Sequence, residues 1–334
     1  MPDDWVADLL GKPFEQRTLD LGAEGAREGL VATLVRSIPN PVTSVFAPLR
    51  DVDVLYVHGW SDYFFQTGLA QFFTRRGARF HALDLHRYGR SLREGQIPGY
   101  MQSLADYDAD IEAALTAMGH GVDAAPRRRL VLLGHSTGGL TLTLWAARHP
   151  GRAQALVLNS PWLELQVGAI GRQAIAPLVE VRARLDPRGS HPAVDLGFYT
   201  RAQRDVGALP VPGYRDDWRP EFGFPTHPGW LAAVLEGHRR VAAGLDVGCP
   251  ALVMLSARSS PPIYWQDAMR SSDSVLVVDD IAKAAVRIGS LVTVARIDGA
   301  LHDVFLSAPD PRAHAYEVMA RWLAANANGD SLPR

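Results

Sequence analysis

Gly134-His135-Ser136-Thr137-Gly138 is the stretch on which the reading of the fold turns. Before it runs Leu130-Val131-Leu132-Leu133, a continuous apolar run of the kind a strand shows when both its faces are buried. After it, Gly139 to His149 reads as a helix that Pro150 stops. A Gly-x-Ser-x-Gly set between strand and helix predicts a nucleophile elbow, with the serine hydroxyl raised on a tight turn at the C-terminal edge of a sheet. Gly134 and Gly138 supply the small residues that let strand and helix pass closely.

A serine hydroxyl attacks a carbonyl only when a base takes its proton and an acid orients that base. Ser136 therefore predicts a later aspartate or glutamate and then a histidine. Five histidines follow the start of the irregular middle segment: His191, His227, His238, His302 and His314. Only His302, in Asp298-Gly299-Ala300-Leu301-His302-Asp303, sits in a glycine-containing loop just past a late core strand, and it is the expected base. His314 falls inside the pattern of the terminal helix.

The acid is sought after the strand Pro250 to Leu255. Asp267, Asp273, Asp279 and Asp280 are the candidates, with Asp273 foremost because it lies in a polar segment ahead of an apolar one. Asp279 and Asp280 read instead as the first turn of a helix. Backbone N–H donors for the developing oxyanion are expected at Thr137, next after the nucleophile, and at Trp60 in Val57-His58-Gly59-Trp60. Tyr63, Phe64 and Trp162 are candidate walls of an apolar acyl pocket, with Phe198, Tyr199, Trp218 and Phe224 as further aromatics.

Around these residues the chain alternates strand and helix as far as Asn159. Strands are expected over 29–38, 53–57, 79–84 and 155–159, and helices over 64–76 and 103–118, the second capped by Ser103. From Glu164 to Leu245 the alternation stops in Pro-, Gly- and Trp-rich sequence flanked by helical runs near 168–184 and 229–243. It resumes with strands at 250–255 and 291–297 and helices near 278–287 and 311–325. The expected organisation is a core of residues 1–163 and 246–334 interrupted by a cap over 164–245.

A formal charge of −2 excludes the basic footprint of a nucleic-acid binder, and Arg127-Arg128-Arg129 reads as a solvated loop. One cysteine, Cys249, rules out an internal disulfide and fits a reducing compartment. The acidic start Met1-Pro2-Asp3-Asp4-Trp5 lacks the pattern of a signal peptide. Leu130 to Ala147 carries no formal charge, but its glycines and its break at the elbow argue against a membrane span. The expectation is a soluble, cytoplasmic protein.

With these residues in place the chain resembles the α/β-hydrolases, and within them the bacterial lysophospholipase and monoacylglycerol lipase-like serine hydrolases. The matching pieces are His58-Gly59-Trp60, Leu83 to Ser91 with its Asp84, Gly89 and Ser91, Gly134 to Gly139, Asn159-Ser160-Pro161-Trp162, Asp273-Ser274-Val275-Leu276 and Gly299 to Asp303. The resemblance implies a mostly parallel central sheet flanked by helices, a cap, and ester hydrolysis with no cofactor or metal. It also favours Asp273, 29 residues before His302. The segment Ser256 to Ser272 is longer than the family's, and the cap differs. The expected substrate is a small-molecule ester with an apolar acyl group. Acyl transfer or thioester cleavage on the same triad are the alternatives, together with a non-catalytic ligand-binding homologue. An aminopeptidase would need an acidic anchor, for which the cap offers Asp216 and Glu221.

Overall fold

In a computed structural model, residues 4–22, 29–42, 44–190 and 195–327 are described; Met1 to Asp3 of the acidic start and His191 lie outside them. Described in chain order, the strands are β1 (Val6–Ala7), β2 (Glu15–Asp20), β3 (Val31–Ser37), β4 (Val52–Val57), β5 (Arg79–Asp84), β6 (Arg129–His135), β7 (Ala155–Asn159), β8 (Ala251–Ser256) and β9 (Val292–Ile297). They form one sheet in the order β1-β2-β3-β5-β4-β6-β7-β8-β9. From β5 to β9 all pairings are parallel, and β1, β2 and β3 join antiparallel at one edge.

The helices are α1 (Thr67–Thr74), α2 (Asp108–Met118), α3 (Thr137–Arg148), α4 (Gly168–Leu185), α5 (Phe198–Asp205), α6 (Pro228–Ala243), α7 (Val278–Ala285) and α8 (Pro309–Asn326). Side chains alternate across a strand, so each central strand feeds two cores. Leu55, Val57, Leu132, Leu156, Leu158 and Val253 pack on one face. Val54, Tyr56, Val131, Leu133, Val157 and Met254 pack on the other with α1 and α8. Burial on both faces explains why these strands read as unbroken apolar runs.

Several local expectations hold with shifted ends. The 64–76 helix is shorter as α1, because Phe64 to Gln66 are held in the loop that precedes it. Ser103 caps a short 3-10 turn that leads into α2: its hydroxyl accepts from the Ala105 N–H at 3.2 Å, and Asp106 accepts from the Ser103 N–H at 3.1 Å. The Arg127 to Arg129 triplet is not simply solvated. Arg128 Nε donates to Asp53 at 2.6 Å, and Arg129, the first residue of β6, pairs with Asp51 at 2.5 Å, fastening the start of β6 to that of β4.

The Asp84, Gly89 and Ser91 motif is architectural. Asp84 accepts from the Phe64 and Arg90 N–H groups, and Ser91 Oγ donates to the Asp84 carbonyl at 2.7 Å. Buried Arg90 bridges Asp84 and Asp8.

Between β7 and β8 the chain leaves the sheet for α4, α5 and α6, the segment expected as a cap. α6 lies against both α4 and α3. His238 on α6 is fixed by its Nε2 to the Trp162 carbonyl at 2.9 Å, and Tyr63 reaches up to the Gly213 carbonyl at 3.0 Å. Among the described residues no helix is long and apolar enough to cross a membrane.

Candidate active site

β6 delivers His135 to the C-terminal edge of the sheet and α3 starts at Thr137, leaving Ser136 alone in the turn with φ 52° and ψ −119°. Such a conformation is costly for a residue with a side chain and persists only where the surroundings over-determine it. Here the Ser136 N–H donates to the Asn159 carbonyl at 3.0 Å. The Ser136 carbonyl accepts from Trp162 at 3.0 Å and Leu140 at 3.2 Å. The flanking glycines are required sterically: a Cβ on Gly138 would lie 2.2 Å from the His58 carbonyl oxygen, and one on Gly134 would lie 2.7 Å from Gly139 Cα.

His302 follows β9, and its Nδ1 is 2.9 Å from Asp273 Oδ2. Asp273 is fully buried, and its other oxygen accepts from the Val275 and Leu276 N–H groups at 2.7 and 2.8 Å. A carboxylate only accepts, so the proton of His302 is on Nδ1 and Nε2 is left with a free lone pair.

The long segment before Asp273 turns out to be a detour. Residues beyond Pro261 loop out and return, and Asp273 is clamped beside the end of β8 by Ser260 N–H to Asp273 carbonyl at 2.8 Å and Asp273 N–H to Arg258 carbonyl at 2.9 Å. Asp273 thus sits where a short loop would have put it. The other candidates are elsewhere: Asp267 pairs with Arg270, Asp279 with Arg296 and Asp280 with Lys283, all in surface pairs.

The loop after β4 brings Gly59 against Ser136, since a Cβ there would be 2.9 Å from Ser136 Cβ. His58 sets the orientation of this loop. Its Nε2 accepts from the Leu85 N–H at 3.2 Å, so its Nδ1 carries the proton and donates to the Gly59 carbonyl at 2.8 Å. In a trans peptide the carbonyl and the next N–H point in opposite directions, so the Trp60 N–H is turned away from His58. Among the described residues neither the Trp60 nor the Thr137 N–H has an acceptor.

Ser136, Thr137, Trp60 and His302 all line one cavity of about 630 Å³, within the usual range for small-molecule sites. Its walls include Trp60, Trp162, Leu165, Phe224, Trp230 and Leu276. Trp60 and Trp230 rings lie 3.9 Å apart, so the loop after β4 and α6 share the wall. Of the three residues expected to hold substrate, Trp162 is on the cavity and Tyr63 and Phe64 are not. The Phe64 N–H is taken by Asp84, which turns its ring under the sheet against Tyr56 and Phe80. Tyr63 packs on Phe65 and Trp218, so Trp218 also misses the cavity. Phe198, Tyr199 and Phe224 do line it.

Burial shifts the titration of several groups around the cavity. His135, its ring centroid 5.0 Å from that of His302, is pushed down to about 4 by burial. Asp62, two residues past Trp60, is pushed up to about 7 by burial although Arg219 Nε stands 3.2 Å away. That Arg219 N–H is not aimed at the carboxylate, whose Oδ1 makes no hydrogen bond. Burial raises Asp195 as well. Both aspartates face the cavity. Asp216 and Glu221, the acidic residues noted in the cap sequence, are instead tied to Arg204 outside it. Sequence reading passed over Asp62, Arg219 and Trp230; only Asp62 carried a signal, its closeness to the His58-Gly59-Trp60 turn.

A parallel sheet with an elbow serine at its C-terminal edge and a histidine–aspartate pair in the following loops defines the α/β-hydrolase class. Residues 50–255, more than half of the chain, match the family described as serine aminopeptidase, S33, and the chain belongs to that family. It is similar to the monoacylglycerol lipase of Mycolicibacterium smegmatis, 28% identical over 135 residues, 40% of this chain and 45% of that protein. Lysophospholipase L2 of Escherichia coli is 26% identical over 183 residues, 50% of this chain and 51% of that one. The chain thus matches only about half the length of these curated relatives. The same fold is seen in the crystal structure of Paleococcus ferrophilus monoacylglycerol lipase (TM-score 0.63, 19% identity, covering 88% of this chain and 99% of that one). It is also seen in a soluble variant of monoglyceride lipase from Saccharomyces cerevisiae (TM-score 0.63, 13% identity, covering 95% and 97%).

Proposed function

We propose that the protein is a serine hydrolase that cleaves carboxylic esters of apolar acyl groups through an acyl-enzyme on Ser136. The observation that carries the reading is the 2.9 Å contact between His302 Nδ1 and buried Asp273, on the cavity that the strained Ser136 also faces. Ser136 Oγ bonds to the ester carbonyl carbon as His302 Nε2 takes its proton, and the Trp60 and Thr137 N–H groups bind the oxyanion. The carbon–oxygen bond to the alcohol then breaks and His302 protonates the departing oxygen. Water next attacks the acyl-enzyme, giving a proton to His302, and Ser136 leaves with that proton restored.

The aromatic walls support an acyl chain over a polar group, and the cap over 164–245 is proposed to cover it. The names of the relatives, a monoacylglycerol lipase and a lysophospholipase, agree with such substrates. A lone thiol supports a reducing, cytoplasmic setting.

Labelling with a fluorophosphonate tests the reading. Native protein should react, and Ser136→Ala and His302→Ala should not. Folded native protein that stays unlabelled would sink it. In a p-nitrophenyl ester series, kcat/KM should rise with acyl length until the cavity is filled.

The family's description favours a second reading, release of N-terminal amino acids, with Asp195 as the anchor for the amine, since Asp62 already faces Arg219. Aminoacyl p-nitroanilides separate the two, and turnover of these exceeding that of the esters would favour the second.

A further inference from the structure

The cap does more than roof the cavity, because one of its side chains is bonded to the loop that carries the base. Tyr199, near the start of α5, places its hydroxyl 3.2 Å from the Asp303 N–H, the residue directly after His302. Its ring stands edge-on to the His302 imidazole, centroids 5.4 Å apart at 80°. The imidazole is thus held at Nδ1 by Asp273 and flanked by the rings of His135 and Tyr199. Tyr199 alone among these three comes from outside the sheet's own edge.

Tyr199 is itself held. Its hydroxyl also accepts from Gln203 Nε2 at 3.0 Å, one turn along α5. Arg219 fixes that glutamine through a 2.8 Å bond to Oε1 and lies 5.4 Å over the Tyr199 ring. Arg219 Nε then stands 3.2 Å from Asp62, in the loop that bears Trp60. A continuous path therefore runs from the oxyanion loop through Arg219, Gln203 and Tyr199 to the loop of His302, and its middle lies wholly in the cap. Burial holds the Tyr199 hydroxyl well above its ordinary titration range, so it stays a neutral partner.

We infer that Tyr199 is a positioning residue, through which the closed cap completes the seat of His302. Lifting the cap breaks the bond to Asp303 and removes one wall from the imidazole, so the base is competent only under a closed cap. Closure that finishes a catalytic constellation is a general route to restricting attack to bound substrate. The inference rests on His302 being the base in the reading above.

The test compares native protein with Tyr199→Phe, Tyr199→Ala and Leu178→Ala, by the fluorophosphonate labelling rate at Ser136 and by kcat and KM for p-nitrophenyl acetate. Leu178, on α4, is 73% exposed and is not among the residues that line the cavity. Tyr199→Phe keeps the ring and loses two neutral hydrogen bonds, those from Asp303 and Gln203; kcat and labelling rate should fall about fivefold with KM little changed. Tyr199→Ala removes both contacts, and about a hundredfold loss in kcat is expected from a misplaced base. Leu178→Ala should leave labelling rate, kcat and KM as in native protein. If Tyr199→Ala melts early, Tyr199→Phe, isosteric in its ring, carries the test. Tyr199 variants that label at the native rate and change KM alone would overturn the inference and make Tyr199 a plain wall of the pocket. Native protein that does not label at all would instead overturn the hydrolase reading on which it rests.

Discussion

At the scale of single residues, the identity of the acid is the sharpest question the sequence posed. Asp273 is buried with three hydrogen bonds to its carboxylate, while Asp267 and Asp279 stand 85% and 67% exposed in surface pairs. Exposed ion pairs contribute little. Asp273→Asn should therefore lower kcat by about 10³ to 10⁴, because an amide can hold His302 in the wrong tautomer, and Asp267→Asn and Asp279→Asn should stay near native. Equal small losses in all three, measured with one p-nitrophenyl ester, would remove Asp273 from its role. Ser136 stands directly after a strand, and Trp60 and His302 stand three and five residues past one, so a local pattern was enough to propose them. Asp273 was harder to read, since the detour before it hides that its neighbours in space are Arg258 and Ser260. Tyr63 and Phe64 were misread for the opposite reason. They adjoin the Trp60 loop in sequence, but Asp84, twenty residues past Phe64, takes the Phe64 N–H and the Gly213 carbonyl takes the Tyr63 hydroxyl, and no local pattern records either bond.

At the scale of elements, the closeness of α3 to the end of β4 sets the distance between the two proposed oxyanion donors. Gly138 is the contact point, and a side-chain carbon there would also come within 2.5 Å of the Val57 carbonyl oxygen. Backbone on both sides cannot yield as a flexible side chain would. Gly138→Ala should cost about 1–3 kcal/mol of stability as overpacking, seen as a lowered melting temperature. It should also lower kcat far more than KM, because Thr137 and Trp60 are pushed apart. A native melting temperature would show that the helix can slide without cost. The central strands announced themselves as apolar runs because both their faces are buried. β2 did not: Glu15-Gln16-Arg17-Thr18-Leu19-Asp20 buries Leu19 alone. A strand second from the edge, with only the two residues of β1 beyond it and one face covered, needs few apolar residues. α5 escaped for a related reason, its eight residues being largely polar and held by Arg219 and Tyr199 rather than by a hydrophobic stripe.

At the scale of the whole molecule, burial has a consequence for pH. His81, His135 and His238 are each pushed down to about 4 by burial, and His58 is lowered by the same cause. An unfolded chain takes up these protons near pH 6.5, and the folded one refuses them until about pH 4. Their contribution to stability is thus complete above pH 6.5 and is lost as pH falls through that window. Asp62 has the opposite sign: raised to about 7, it favours the folded state most below its ordinary range and loses that contribution as pH rises toward 7. Raised Asp195 acts in the same sense. On acidification the histidines and the two aspartates therefore act in opposite senses. His238 isolates the effect, because it joins α6 of the cap to the Trp162 carbonyl and its replacement touches neither proposed catalytic loop. His238→Gln keeps an N–H donor and removes the titration. Native protein should lose more melting temperature between pH 7 and pH 5 than this variant does. Parallel losses in the two proteins would show that His238 takes up its proton while folded, and that the cap's anchor on the core is not what acid loosens.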